Sequence, residues 1–194
     1  MTNAKLLKFV IFEFHLNPFV MDTIKCIKTR RSIRKYLENK PVLPEHAQVM
    51  IEAGMYAPTA RNLRGWHFIV VDDKDKLIRL SEVHPYGKML AQASMGILVC
   101  GDTGIEPNES YNAINCAAAT QNILLAAHDL GLGAVWLGVY PRKERMTGIA
   151  QVLNLPEHVV PVSLICIGYP DEIKETPERL ERGKIHYNSW KNKG

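Results

Sequence analysis

The chain lacks the motifs of several common chemistries. No GxxxxGK[ST] or GxGxxG run follows a β-type segment, which excludes a P-loop and a Rossmann dinucleotide site. No HExxH and no clustered Cys and His carry metal-ligand spacing. No GxSxG sets a serine at a nucleophile elbow. Adjacent carboxylates occur only in charged segments such as Asp72-Asp73, which suit a surface loop. Cysteine is sparse: Cys26, Cys100, Cys116 and Cys166 are far apart, three of them in apolar runs, and none forms a CxxC. That is neither a disulfide framework nor a zinc pattern. It fits buried thiols in a reducing cytoplasm, a redox-active thiol being the lesser alternative. Repeats, low-complexity tracts and linkers are also missing. Whatever chemistry the chain performs is expected to come from something bound.

Membrane insertion lacks support too. The stretch from Leu6 to Val20 is apolar, but Lys8, Glu13 and His15 interrupt it and Pro18 closes it, so it is too short and too broken to span a bilayer. No small-residue cleavage site follows, as a signal peptide requires. Met21 begins a segment that reads as a complete amphipathic helix. Residues 1–20 are therefore expected to be an extension packing on a neighbour or an upstream misreading, with one domain over 21–194.

What is present is an ordinary globular composition. The 194 residues are 46 % hydrophobic and 23 % charged, enough for one domain with an ample core. The net charge is only +4, much of it in one arginine cluster and a basic tail, which argues against a general nucleic-acid surface. The cluster is Thr29-Arg30-Arg31-Ser32-Ile33-Arg34-Lys35-Tyr36. Guanidinium groups stay charged and present a planar fork of donors that matches phosphate oxygens, so an anion site is one reading and a solvated basic turn the other.

Around that cluster, helical and β-type patterns alternate. Asp22 can cap a helix carrying Ile24, Ile27 and Lys28. Pro44 can open a second helix, with Ala47, Met50, Ile51 and Met55 at helical spacing, stopped at Ala57-Pro58. A polar loop, Thr59 to Gly65, leads into a strand from Trp66 to Val71. A surface helix from Lys74 to His84 and a short one from Tyr86 to Ala93 precede an interior strand, Ser94 to Cys100. The longest element, Ser110 to Leu130, is rich in alanine and apolar on every side, which suits the centre of the core or a helix shared by two subunits. Gly131-Leu132-Gly133 can end it. A strand from Ala134 to Tyr140, a helix opened by Pro141 and running to about Leu153, and a strand from Val159 to Ile167 follow. Pro161 places that strand's start or a sheet edge there. The tail from Asp171 ends in aromatic residues expected to dock. The outline is helix-rich α+β with about four core strands.

Four segments in this order resemble the FMN-dependent nitroreductase family: the run from Arg30 to Tyr36, Ala57-Pro58-Thr59-Ala60-Arg61-Asn62-Leu63-Arg64-Gly65-Trp66-His67-Phe68, the alanine-rich helix into Leu130-Gly131-Leu132-Gly133-Ala134-Val135-Trp136-Leu137-Gly138, and Ile185-His186-Tyr187-Asn188-Ser189-Trp190. The resemblance covers residues 21–190. It implies a mostly antiparallel sheet flanked by helices in an intertwined homodimer with shared flavin sites. On this resemblance Arg30 and Arg179 hold the FMN phosphate, and Arg31 and Ser32 contact the phosphate and ribityl chain. Arg34 supplies positive charge near the pyrimidine edge of the ring, where it stabilises the reduced flavin anion. Asn62 bonds the same edge, with Pro58, Thr59 and Ala60 beside it, contributed by the other subunit. Trp136, Leu137 and Gly138 lie against the ring, the Gly138 N–H facing its reactive nitrogen. Taken without the resemblance, Asn62 equally suits a turn and Trp136 a core position.

The implied activity is reduction of a small acceptor, nitroaromatic, quinone or similar, by NADH or NADPH in a ping-pong cycle, with no catalytic side chain because the chemistry sits on the flavin. Two alternatives stay open: another chemistry on the same fold, such as flavin fragmentation or dehalogenation, and a flavin-binding protein that stores or senses flavin without turnover. Many relatives carry Gln-Pro before the tryptophan, where this chain has Arg64-Gly65, so Arg64 faces either the pocket or solvent. The domain is short for the family and shows no insertion of the kind that forms a lid, which leaves the acceptor and the choice of nicotinamide illegible.

Overall fold

A computed structural model describes residues 22–190; the extension expected over residues 1–20 lies outside them. Five helices and four strands follow in chain order: α1 (Thr23–Thr29), α2 (Pro44–Met55), β1 (Trp66–Val71), α3 (Lys74–Val83), β2 (Met95–Asp102), α4 (Glu109–Asp129), β3 (Gly133–Gly138), α5 (Lys143–Leu153) and β4 (Val159–Gly168). The strands form one sheet in the order β1-β2-β4-β3, every neighbouring pair antiparallel, so the α+β expectation holds.

Local chemistry explains where the helices begin and end. The Asp22 carboxylate accepts the N–H groups of Ile24 and Lys25, at 3.0 and 3.1 Å, and so starts α1. Pro44 opens α2 at a position where no donor is lost. Asp73 caps α3 through Lys76 N–H, and Asn108 caps α4 through Ser110 and Tyr111. Gly131, at φ +73, supplies the left-handed residue that ends α4.

Helices cover both faces of the sheet. On one, Ala47 and Met50 of α2 and Cys116, Ala119 and Ile123 of α4 pack on Ile97, Val99, Ile165 and Ile167. On the other, Leu77 and Leu80 of α3 and Ile149 and Val152 of α5 pack on Leu98, Cys100, Leu164 and Cys166. Strand β2 is buried along its whole length, which is why it reads as a continuous apolar run. All four cysteines are unpaired and buried, and burial pushes the Cys116 and Cys166 thiols up to about 12, the range of an inert core thiol.

Several expectations need correction. Pro141 does not open α5: it sits in the turn before the helix, whose N-cap is Arg142. Of the two places that Pro161 allowed, the strand's start holds and the sheet edge does not: β4 is central, and Pro161 lies near its start at a bulge, where the pairing with β2 steps from Val99–Ser163 to Cys100–Pro161. Helix α4 is not buried on all sides within one chain, since Ile114 is 63 % exposed. Among the described residues the aromatic tail finds no docking place: Tyr187 and Trp190 are exposed, and Trp190 stacks on His186. The segment expected as a short helix after α3 is a 3-10 turn, Lys88–Ala91.

The arginine run is fixed to the sheet by close backbone approach. Ile33 N–H donates to Ala134 O at 3.1 Å, and Ser32 bridges to Ala134 in parallel. A Cβ at Gly133 would fall 2.6 Å from Ile33, and one at Gly168 would fall 2.8 Å from Tyr36, so both glycines are there to let the run lie flat. Tyr36 is buried, and its hydroxyl reaches the carbonyls of Ile33 and Cys166 at 2.7 and 3.1 Å. Removing that hydroxyl takes away the one proton that Tyr36 offers to these carbonyls. Tyr36→Phe is expected to cost about 1 to 2 kcal/mol, read as a lower urea midpoint at unchanged slope; an unchanged midpoint would show that the run is held by packing alone.

Candidate cofactor site

The end of α1 delivers the cation cluster. Arg30 is its C-cap, and the guanidiniums of Arg31 and Arg179 lie close enough that, after burial itself, they are the next causes holding the Arg30 pKa below its usual value. Among the described residues no carboxylate forms an ion pair with Arg30, Arg31 or Arg179. A cavity of about 300 Å³ opens here, lined by Arg30, Arg31, His128, Glu172 and Lys174 among others. Among the described residues these three guanidiniums have no ion-pair partner, and Glu172 in the cavity wall is paired with Lys174, so an anion lowers the energy here.

Three residues of the run differ in how they are used. The Arg31 guanidinium donates to backbone carbonyls, to Glu175 O at 3.0 Å, Arg30 O at 2.5 Å and Lys28 O, so it braces the cluster against the tail. Ser32 O accepts Lys174 Nζ at 2.7 Å, and Lys174 also pairs with Glu172 at 3.2 Å. Arg34 N–H donates to Glu172 Oε1 at 2.5 Å while its side chain stays exposed. Behind Arg30 and Arg31 stands His128. Thr29 Oγ1 gives its proton to Lys25 O at 2.7 Å, so its 2.9 Å contact with His128 Nε2 makes that nitrogen the donor. Burial, then Arg30 and Arg31, push the His128 pKa down, and the ring stays neutral beside the cations.

The second group is the loop before β1. Ala60–Asn62 form a 3-10 turn, and Arg61, Asn62 and Arg64 all have φ near +54, a region that non-glycine residues rarely occupy. Ala60 N–H donates to Asn115 Oδ1 at 3.0 Å, Arg61 pairs with Glu106 at 2.8 Å, and Arg64 N–H donates to Thr59 Oγ1 at 3.1 Å. The side chains of Asn62 and Arg64 are exposed. Asn115 Nδ2 is buried and has no partner, a spare donor next to the loop.

The third group is the end of β3. Trp136 is 37 % exposed, on the same face as Gly138, whereas Leu137 turns into the opposite core and can offer a ligand only its backbone. A Cβ at Gly138 would meet nothing within 4 Å, so no neighbour in this chain demands glycine there. A bare strand beside a half-exposed indole is what a flat ring seated on the backbone requires, and together with the unpaired guanidiniums it fits the FMN that the sequence pointed to. Behind the strand, Gly138 O accepts from His84 Nε2 at 3.0 Å and Arg145 Nη1 at 2.7 Å. His84 Nδ1 accepts Tyr86 N–H, which fixes the ring's tautomer.

Within one chain these groups do not all meet. The arginine cluster touches α4 at His128 and the Asn62 loop touches it at Asn115. At about 1.5 Å per residue, those two contacts are roughly 20 Å apart along the helix. No sequence signal points to His84, Glu106, His128 or Lys174. The histidines sit at the end of an ordinary surface helix and in the last turn of a core-like one, and Glu106 and Lys174 lie in aperiodic segments. Among the described residues no group of His, Cys, Asp or Glu can hold a metal ion, and no helix is long and apolar enough to cross a membrane.

Comparison with known proteins bears on the chain as a whole. The model of the nitroreductase family matches residues 27–96 and 81–169. A Methanothermobacter thermautotrophicus protein, provisionally named an NADH dehydrogenase/NAD(P)H nitroreductase, is 46 % identical over 170 residues, 88 % of each chain. A solved structure from Bacteroides thetaiotaomicron with the same provisional name is 42 % identical, at a TM-score of 0.82, over 86 % of this chain and 97 % of that one. The FMN-dependent nitroreductase of Clostridium difficile is 35 % identical, at a TM-score of 0.80, over 86 % of this chain and 99 % of that one.

The depressed pKa of His128 has a consequence for acid stability. Between the folded value and about pH 6.5, the unfolded chain binds a proton that the folded chain refuses, so acidification favours unfolding. The stability of the wild type minus that of His128→Asn is expected to fall as the pH is lowered from about 7.5 to about 5.5, measured by urea titration. His84 shifts in the same direction but is common to both proteins. Parallel curves would place the His128 ring outside the influence of the arginines.

Proposed function

We propose that this chain, which belongs to the nitroreductase family, is an FMN-dependent oxidoreductase that passes electrons from NADH or NADPH to a small acceptor, a nitroaromatic, a quinone or a similar molecule. The observation that carries the reading is the set of three guanidiniums that form no ion pair with a carboxylate among the described residues, at one end of a strand whose outer face is left bare at Gly138. Arg30 and Arg179 take the phosphate, with Arg31 and Ser32 beside it. Arg34 lends positive charge to the ring's polar edge. Asn62, on a loop with Pro58, Thr59 and Ala60, bonds that edge with an amide that both donates and accepts. Trp136 and the backbone at Leu137 and Gly138 form the floor. FMN, when bound, supplies the acceptance and release of electrons from one exposed face. The chain's own residues bind and orient, and none is required as an acid or base. Donor and acceptor occupy that face in turn, which makes the kinetics ping-pong.

The distance along α4 supports a homodimer in which the Asn62 loop of one copy completes the arginine site of the other. Exposed Ile114 and half-buried Ala117 and Leu125 on α4, together with exposed Ile24 and Ile27 on α1, offer an apolar face for that second copy. The exposed aromatic tail has a docking place in the same assembly. Unpaired, buried cysteines support a cytoplasmic location. On this reading residues 21–194 are one flavin-binding domain and 1–20 its extension.

Purified protein is expected to carry flavin absorbance that bleaches anaerobically on addition of NADH or NADPH and returns on addition of a quinone. Flavin that neither donor bleaches would mark a storage or sensing protein instead. Arg30→Ala is expected to weaken FMN binding by about ten- to a hundredfold, the worth of one charge-assisted contact, in a dimer by solution scattering. Unchanged affinity would remove Arg30 from the phosphate site, and a monomer that keeps its flavin would rule out shared sites.

A further inference from the structure

Glu106 lies in the connection between β2 and α4 and is fully buried. Oε2 accepts Arg61 Nη2 at 2.8 Å, and Oε1 accepts Asn108 N–H at 3.0 Å. These two hydrogen bonds, the one from Arg61 first, hold its carboxyl below the usual carboxylate range, so it is a buried anion whose one cationic partner among the described residues is Arg61. Its partner is not buried with it: the Arg61 side chain is 67 % exposed, so the pair reaches from the interior to a surface loop. Within its own connection Glu106 is one of several groups that hold the backbone. Asn108 caps α4 with its own side chain, and Asn112 Nδ2 lies 2.6 Å from Glu106 O and 3.4 Å from Asp102 O.

What the pair does accomplish is local to the loop before β1. Arg61 sits between Ala60, whose N–H is held by Asn115, and Asn62, and both Arg61 and Asn62 are in the left-handed region. Two adjacent non-glycine residues in that region relax unless something outside the loop holds them. Glu106 grips the side chain of the first, and Asn115 grips the backbone just before it. We propose that Glu106 is a positioning residue for the flavin site: through Arg61 it holds the loop in its strained form, so that the Asn62 amide is already aimed at the ring edge before FMN arrives. The proposal rests on the flavin reading above.

The test is a double-mutant cycle on FMN affinity, measured by flavin fluorescence on the full-length protein. Glu106→Gln and Asn62→Ala are each expected to raise the dissociation constant about tenfold, and the double variant no more than about twofold beyond either one, because Glu106 acts only through Asn62. Arg61→Lys keeps the buried carboxylate paired and serves if Glu106→Gln folds poorly. It is expected to raise the constant about threefold, again without adding to Asn62→Ala. Wild-type affinity in Glu106→Gln, or a double variant about a hundredfold weaker as for independent sites, would overturn the positioning role. A wild-type protein that binds no FMN would fail the flavin reading itself, and the role would fall with it.

Discussion

Helix α4 is the constraint on which the arrangement depends. It packs against all four strands and against α1 and α2, and its small side chains at Ala119 and Ala127 let it lie close on the sheet. One polar contact crosses that interface at its middle, where Thr120 and Ser163 approach to 2.6 Å with neither exposed to solvent. Thr120 also bonds Cys116 O at 2.7 Å, so the pair is satisfied internally and fixes the helix against β4 at one register. With its position set, α4 spaces the two polar groups that contact it, the arginine cluster near its C-terminus and the Asn62 loop near its N-terminus. Neither group can move toward the other without unpacking the core.

The same rigidity accounts for the cost of the arginine cluster. Like charges repel, and burying one of them adds a desolvation penalty, yet among the described residues no carboxylate forms an ion pair with Arg30. The fold tolerates this because Arg31 is absorbed by backbone carbonyls and the run is bolted to β3 and β4 through Ile33 and Tyr36. An anion arriving there meets donors whose positions have already been set, so it gains the interaction without ordering them.

Much of this was legible in the chain, and what was not has a common cause. Asp22, Pro44 and Gly131 act through the backbone within a turn or two, so their signals sit in adjacent residues and the helix ends followed from them. The pattern at Arg30–Tyr36 was legible as a cluster because its charges are contiguous. Glu106, His84, His128 and Lys174 were not, because each acquires its role from a partner far away in sequence: Gly138 for His84, Ser32 for Lys174. Pro161 showed a different limit. Sequence alone restricts a proline to places where its donor is not wanted, and a bulge in a central strand meets that condition as well as an edge does. The full burial expected of α4 followed from counting apolar faces, which cannot tell one chain's core from a surface that awaits a second chain.

The end of β3 shows how a site on a sheet edge is kept firm. An edge strand has one unpaired side and is the first to fray, and Gly138 adds a residue with no side chain to anchor it. The anchoring is supplied from behind. His84 and Arg145 both donate to the Gly138 carbonyl, and the N–H groups of Val139 and Tyr140 both reach Val162 O. His84 is buried and its tautomer is fixed by Tyr86, so that donor cannot turn away or be lost to water. The bare face at Gly138 is therefore not a loose one. The strand can present backbone instead of side chains to a ring because its other face carries the fastening that side chains would have provided.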